Sequence, residues 1–403
     1  MRTEVDVLVA GGGVAGLAAA AAFAGAGFRV LCVDPVPPVV SAESEGSDLR
    51  STAFLLPALD LLDRAGLKAR LEPFAAPLRV MRIVDAGGAE GVVRATADFR
   101  AEETGAELFG WNLPNWLLRR EMVARLAEQP GAELSGGVRV ERVTPRSVGA
   151  IVALSGGGQA RAALVIAADG RDSPLRRSLG IGARRWGYGQ KALVFNVAHE
   201  RPHEGVSTEV HRSGGPFTLV PLPDRDGEPQ SAVVWMERGS RAAALAALPD
   251  EAFAEVATAR SCGLLGRLRP VGGRVVWPIV TQVAARLDGP RTALVAEAAH
   301  VVPPIGAQGL NMSLRDIATL LDLAIAARSA GKDIGAPPLL ADYHRRRHGD
   351  MLLRVAGIDA LNRAAIAGAR PLRELRALGL AALHGVGPLR RGAMRLGLGA
   401  GRG

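Results

Sequence analysis

Cysteine is almost absent: the 403 residues hold two, Cys32 and Cys262. That excludes a disulfide framework and leads to the expectation of a reduced, cytoplasmic compartment. Aromatic residues make up only 4%, so alanine, leucine and valine have to fill a core that a chain of this length can make large. No Ser-His-Asp constellation is visible, and His199, His203 and His211 lack the spacing of metal ligands, so no metal is expected. Charge is missing altogether from Val7 to Phe28, a stretch long enough to suggest a membrane span. Three consecutive glycines break it early, however, and Glu4 and Asp6 stand where a signal peptide carries basic residues. No transmembrane helix is expected, and the balance of 48% hydrophobic and 22% charged residues is that of a globular protein.

The net charge of +9 is a local feature. Residues 343–403 carry twelve arginines against Asp350, Asp359 and Glu374, which accounts for the whole excess. The stretch reads as basic helices, with Leu372, Leu375, Leu378 and Leu383 near one face and Arg370, Arg373 and Arg376 among them. Two readings stay open: peripheral docking on an anionic membrane surface, and a solvated helix pair packed on the core. Nucleic acid is excluded as a partner, because no aromatic platform or recognition motif accompanies the charge.

What is present begins at the N-terminus. An alternating strand, Val5 to Leu8, runs into Gly11-Gly12-Gly13-Val14-Ala15-Gly16 and then an alanine-rich helix. Gly11, Gly13 and Gly16 have GxGxxG spacing: a tight turn, close approach of a diphosphate to backbone N–H groups, and close helix-to-strand packing. A second apolar strand, Arg29 to Val33, ends in Asp34, where an acid accepts ribose hydroxyl groups. The motif and its context predict a bound dinucleotide at a helix N-terminus.

Further along, a Pro-, Ser- and Glu-rich loop (Pro35 to Asp48) leads to Arg50-Ser51-Thr52-Ala53, read as the opening of a helix that ends near Gly66. Strands are expected at Leu78 to Val84, Gly91 to Phe99, Gly137 to Val143, Ala150 to Leu154 and Ala162 to Ala167, with a helix over Trp116 to Leu126. Between Trp186 and Val283, strand-like pieces at Ala192 to Ala198, Thr208 to His211, Phe217 to Val220, Ser231 to Met236 and Arg274 to Val280 predict an inserted, mostly antiparallel sheet. Two more motifs follow: Val165 to Arg176, a strand running into Asp169-Gly170, and Ala293 to His300, followed by Pro303 to Asn311 and a helix.

Together with the N-terminal glycines and Arg50, these motifs resemble the class A flavin-dependent aromatic hydroxylases of the p-hydroxybenzoate hydroxylase type, over nearly the whole chain. The resemblance implies an α/β fold: a Rossmann-like FAD-binding domain, an inserted mostly antiparallel substrate sheet and a C-terminal helical segment. The corresponding boundaries are 1–75, 101–183 and 284–342 for the FAD domain, 76–100 and 184–283 for the substrate domain, and 343–403 for the basic helices. It implies FAD as cofactor, held by Gly11, Gly13, Val14, Ala15, Gly16, Asp34, Arg50, Arg119, Asp169, Gly170 and Glu297, with Pro304, Gly306, Gly309, Leu310 and Asn311 against the flavin. Backbone N–H groups of Gly309, Leu310 and Asn311, at a helix N-terminus, are expected to stabilise negative charge on reduced flavin. Ala296-Glu297 stands where the family has Gly-Asp, a departure that adds a methyl and lengthens the acid. Tyr188, Gln190 and Pro303 are candidate substrate contacts, His300 reads as a structural hydrogen-bonder, and no catalytic residue is assigned.

A finer resemblance is to the ubiquinone-biosynthesis hydroxylases of the UbiH/UbiF/UbiL group, carried by Arg50 to Leu55, Trp111 to Arg120, Glu297 to Asp316 and Tyr343 to Arg347. It implies a monooxygenase that uses O2 and electrons from NAD(P)H or a ferredoxin-type donor to hydroxylate a polyprenylated phenol through a flavin C4a-hydroperoxide. It also implies a ubiquinone-biosynthesis complex as partner and a peripheral place on the inner face of the membrane. Hydroxylation of a soluble aromatic, reduction of a polyprenyl chain, and a non-catalytic flavoprotein subunit stay open beside it.

Overall fold

The computed structural model describes residues 2–86, 92–212 and 214–366, together with 390, 392 and 394. The chain opens as a β-α-β unit of β1 (Arg2–Ala10), α1 (Val14–Gly25) and β2 (Val30–Asp34). Eleven of the twelve residues of α1 are buried, because alanine side chains let the helix lie close on the strands. Cys32 sits in this layer, where burial pushes its thiol up to about 12 and leaves it inert.

The expected helix from Arg50 is instead β3 (Ser51–Leu55), and the helix α2 (Leu56–Arg64) begins only afterwards. Pro57 decides this: proline is tolerated in a helix's first turn but not seven residues into one. Next come α3 (Lys68–Leu71), β4 (Ala76–Leu78), β5 (Val80–Asp85), β6 (Ala95–Arg100), β7 (Gly110–Pro114) and α4 (Asn115–Glu128). β8 (Ala132–Gly136), β9 (Val140–Pro145), β10 (Ala150–Leu154), β11 (Gln159–Ala167) and α5 (Pro174–Ser178) complete the first half. The middle holds β12 (Ala183–His199), β13 (Val206–Arg212), β14 (Gly215–Arg225), β15 (Glu228–Arg238), α6 (Gly239–Ala246), α7 (Asp250–Arg260) and the long β16 (Leu268–Ala284). Short β17 (Asp288–Gly289), β18 (Thr292–Leu294) and β19 (His300–Val301) precede α8 (Gln308–Ser329) and α9 (Pro337–Ile366).

Three sheets result. The first runs β17-β18-β11-β1-β2-β8, parallel from β18 to β8, with β10 antiparallel on β11 and β9 antiparallel on β10. A second, in the order β19-β16-β12-β15-β14-β13-β5-β6, is antiparallel except where β13 meets β5. β3-β7-β4 form a small third sheet. The α/β fold with a parallel nucleotide-type layer and an inserted antiparallel sheet is therefore present. α6 and α7, unexpected from the sequence, cover one face of the second sheet, where Phe195 meets Phe253 at 4.8 Å and Phe217 meets Trp235 at 5.4 Å. Of the basic terminal stretch, α9 supplies residues to Ile366, while Leu372 to Leu383 lie outside the described residues. Arg390 pairs with Glu103 and lies over Phe99, and Met394 is buried with Leu55, Leu78 and Phe109.

Candidate functional site

The loop between β1 and α1 is set by packing as much as by the helix it starts. Gly11 has φ +114°, and a Cβ there would sit 2.3 Å from the Ala168 carbonyl oxygen. A Cβ on Gly16 would sit 1.8 Å from the Gly11 carbonyl oxygen. At Gly13 nothing lies within 4 Å, so the loop's outer side is open. Val14 and Ala15 form the first turn of α1, which has no side-chain cap and so presents unpaired N–H groups to that space. Asp34 accepts the Gly12 N–H at 2.5 Å and the Val36 N–H at 2.8 Å, and a carboxylate has further acceptor sites to offer. Sequence reasoning missed Gly12, whose backbone fixes that acid.

Arg50 precedes β3. Its Nε and Nη2 donate to the two oxygens of Asp48 at 2.7 Å each, and its guanidinium lies over Trp277 at 5.1 Å. Asn115 also donates to Asp48 at 3.0 Å, and Arg119 approaches it at 3.7 Å. Burial pushes the Asp48 carboxyl up, but the hydrogen bonds and charge of Arg50, with Asn115 and Arg119, outweigh it and hold it below the ordinary value. The hydrogen bond to Asp48 in turn raises Arg50, and the nearby charge of Glu297 adds to that. Asp48 and Asn115 were not foreseen; the Asp-x-Arg spacing was the only sequence signal.

Asp169 and Gly170 lie against the Gly11 loop, where the Ala168 N–H donates to the Ala10 carbonyl. Asp169 accepts from Ser173 at 2.5 Å and from the Leu175 N–H at 3.0 Å, and burial raises its carboxyl. Its acceptors thus support α5 directly. Gly170, at φ +85°, is open around its missing Cβ. Glu297 pairs with Arg171 at 3.2 Å and is about half exposed. The residue before it, Ala296, has φ +56°, the left-handed region in which glycine is at ease and alanine is strained.

Pro303 is buried and Pro304 and Gly306 are exposed in the turn leading to α8. Gly309, Leu310 and Asn311 occupy its first turn, and their N–H groups face forward without intrahelical partners. The Asn311 side chain ties this helix start to β3: it accepts the Leu55 N–H at 2.9 Å and donates to the Ala53 and Ala307 carbonyls at 2.7 and 2.6 Å.

The second sheet presents its other face to this region. Leu193, Trp235, Phe217 and Val210 point to α6 and α7, so their neighbours in each strand point the opposite way. Ala192 and Met236 join the core of the nucleotide lobe, and Val194 and Val234 pack against it. Register aligns Val275, Val194, Val234, Thr218 and Glu209 across five strands. None of the five is buried; they form the floor of a trough, open at Val275, which is 40% exposed.

Tyr188 and Gln190 are not on that floor. Tyr188 donates to Asp359 at 2.5 Å and meets Thr281 at 2.6 Å, a tie between β12 and α9. Gln190 is buried and donates to the Gly214 carbonyl at 3.2 Å. His300 meets Asp316 at 2.7 Å within the protein.

These residues fit a dinucleotide diphosphate. The loop is open at Gly13 and Gly170, and Arg119 has a buried Nε with no partner among the described residues. Residues 4–351 match a family model described as FAD binding domain. The chain is 38% identical to "Ubiquinone hydroxylase UbiL" of Rhodospirillum rubrum over 98% of its own length and 89% of that protein. It is 27% identical to "3-demethoxyubiquinol 3-hydroxylase" of Escherichia coli over 98% of both. Among solved structures, p-nitrophenol 4-monooxygenase PnpA of Pseudomonas putida superposes with a TM-score of 0.80 at 20% identity, covering 99% of each chain.

Proposed function

We infer the reaction from one premise: the chain belongs to the FAD binding domain family and, within it, to the flavin-dependent monooxygenases that include the ubiquinone hydroxylases. Its cofactor is FAD. We propose that it hydroxylates the ring of a polyprenylated phenol in ubiquinone biosynthesis, taking electrons from NAD(P)H or a ferredoxin-type donor. The observation that carries this substrate class is the trough floor, in which Val234, Val194 and Val275, none of them buried, lead to an open end.

Bound FAD supplies the redox chemistry with O2; the chain's residues bind, orient and shield. In this reading Gly11 to Gly16 and the start of α1 receive the diphosphate, and Asp34 the ribose. Arg50 and Arg119, held by Asp48, bring positive charge to the cofactor, and Glu297 takes the ribityl side. The start of α8 stabilises negative charge on the flavin ring. The parallel-sheet lobe is the FAD domain, and the second sheet, covered by α6 and α7, keeps water from the substrate ring. The protein docks on the membrane through α9, letting a prenyl chain leave the trough toward lipid.

The test is the absorption spectrum of the protein purified without added flavin, followed by oxygen uptake with NADPH, with and without a short-chain prenylphenol. Flavin bands and uptake stimulated by the phenol are expected. A colourless protein that cannot be reconstituted sinks the reading, and stimulation by benzoate-type phenols alone replaces the substrate class.

A further inference from the structure

The trough floor ends in an acid. Glu209 stands beside Thr218 in register, and His211 lies two residues on, on the same face. The Glu209 Oε1 lies 2.7 Å from His211 Nε2, with the two side chains 20% and 13% exposed. Asp85, opposite His211 on the next strand, is paired with Arg94 at 2.5 Å. The contact is an ion-pair approach between side chains two residues apart on one strand. The His211 Nδ1 is buried and has no hydrogen-bond partner among the described residues.

Two other histidines, His199 at the end of β12 and His203 in the turn before β13, show what a structural role looks like. His199 engages the Arg201 carbonyl through Nδ1 and the Ser231 hydroxyl through Nε2. His203 engages the Leu222 carbonyl through Nε2 and accepts the Gly205 N–H on Nδ1. Both are saturated. His211 is held on one side by a carboxylate and left open on the other, the arrangement of acid–base machinery.

We propose that Glu209 and His211 are the acid–base pair of this hydroxylase, Glu209 accepting the proton of the substrate's ring hydroxyl. The proposal rests on the reading of the trough given above. Strands lie about 4.8 Å apart, so Val194 and Glu209, three strands from each other, span about 14 Å. A ring over Val234 then points its hydroxyl at Thr218 and Glu209 and its prenyl chain toward Val194 and Val275. The substrate O–H bond breaks, the proton goes to a Glu209 carboxylate oxygen, and the electron pair stays on the ring oxygen. That pair enriches the ring carbons ortho and para to it, where an electrophilic oxygen is accepted. When the ring regains aromaticity the proton returns to the oxygen. His211 is a positioning residue: its Nε2, 2.7 Å from Glu209 Oε1, holds the carboxylate in place, and its Nδ1 is left without a partner among the described residues.

The experiment compares wild type, Glu209→Gln, Glu209→Asp and His211→Gln, all loaded with FAD, using 2-prenylphenol as probe. The ultraviolet difference band of a bound phenolate is read at a pH below the free phenol's own pKa, alongside kcat, KM and flavin content. Wild type is expected to show the band. Glu209→Gln is expected to lose it and about 100-fold in kcat with KM little changed, and Glu209→Asp to recover part of both. His211→Gln is expected to lose about tenfold in kcat. A Glu209→Gln enzyme with wild-type kcat and a phenolate band overturns the proposal, as does equal loss in the Gln and Asp variants, which marks a structural site. If wild type neither binds nor hydroxylates the phenol, the reading of the reaction has failed instead.

Discussion

Ala296 holds a backbone angle of φ +56° immediately before Glu297, at the place where the sequence departs from the Gly-Asp of the flavin hydroxylases. The left-handed region costs a residue with a Cβ about 1 kcal/mol relative to glycine. Ala296→Gly is therefore expected to stabilise the protein by about that amount, read by urea unfolding, with flavin affinity equal or higher. A loss of stability would mean that the Ala296 methyl makes packing contacts worth more than the relief. The strain was invisible in the sequence, which shows the substitution but not the angle. Residues whose role is set by local chain geometry were legible: Gly11, Gly16 and Asp34 stand where strand, turn and helix require them. Asp48 was not, because its meaning comes from Asn115 and Arg119, which only the fold brings to it. Glu209 and His211 were hidden for a similar reason, since the face that a strand residue occupies depends on which side α6 and α7 cover.

Helix α8 is held at two levels, by Asn311 at its start and by Asp316 in its third turn. Asp316 is fully buried between His300 at 2.7 Å and Arg347 of α9 at 2.8 Å. Burial alone would push its carboxyl up, but the pull of His300 and Arg347 and their hydrogen bonds hold it below the ordinary value. A carboxyl depressed in the folded state contributes stability that is complete above its unfolded value of about 3.9 and lost as pH falls through the folded one. Asp316→Asn is expected to cost about 3 kcal/mol at neutral pH, because buried Arg347 loses one of its two carboxylate partners and keeps only Asp350. Its stability should then fall less steeply than wild type in acid, measured by urea unfolding from pH 7 to about 3. An acid limb as steep as wild type would assign the loss to other carboxylates. The helix itself was readable from its apolar period after Pro303 to Asn311. β3 was not, because Ser51 to Leu55 continue without a break into a true helical pattern. The short, alanine-rich α6 and α7 were not either, since their period is weak and their place is dictated by the sheet face they cover.

At the scale of the molecule, the β-α-β start and the inserted antiparallel sheet were legible, because each rests on patterns within single segments. The order of eight strands in the second sheet was not, since membership of 76–100 was expected but nothing within a segment sets which strand it pairs with, here β5 with β13. The same distance between pattern and position separates the basic C-terminal charge from the face proposed to dock on the membrane. On α9, Leu353 is 73% and Leu361 60% exposed, and Gly357, Ala360 and Ala364 continue the exposed stripe. Arg345, Arg346 and Arg363 flank it with side chains 75%, 58% and 61% exposed. No helix among the described residues is long and apolar enough to cross a membrane; in the proposed docking this face makes an interfacial contact, leucines in the acyl boundary and arginines at anionic headgroups. Burying each leucine in that boundary contributes about 1 kcal/mol or more. Leu353→Asp with Leu361→Asp is expected to weaken sedimentation with phosphatidylglycerol vesicles by at least about tenfold, and added salt should weaken the wild-type interaction. Turnover of a short-chain prenylphenol in solution should be unaffected, because the trough lies on a different element. Unchanged vesicle binding in the double variant would remove α9 as the docking face, and a parallel loss of soluble turnover would show that the helix acts on the fold and not on the membrane.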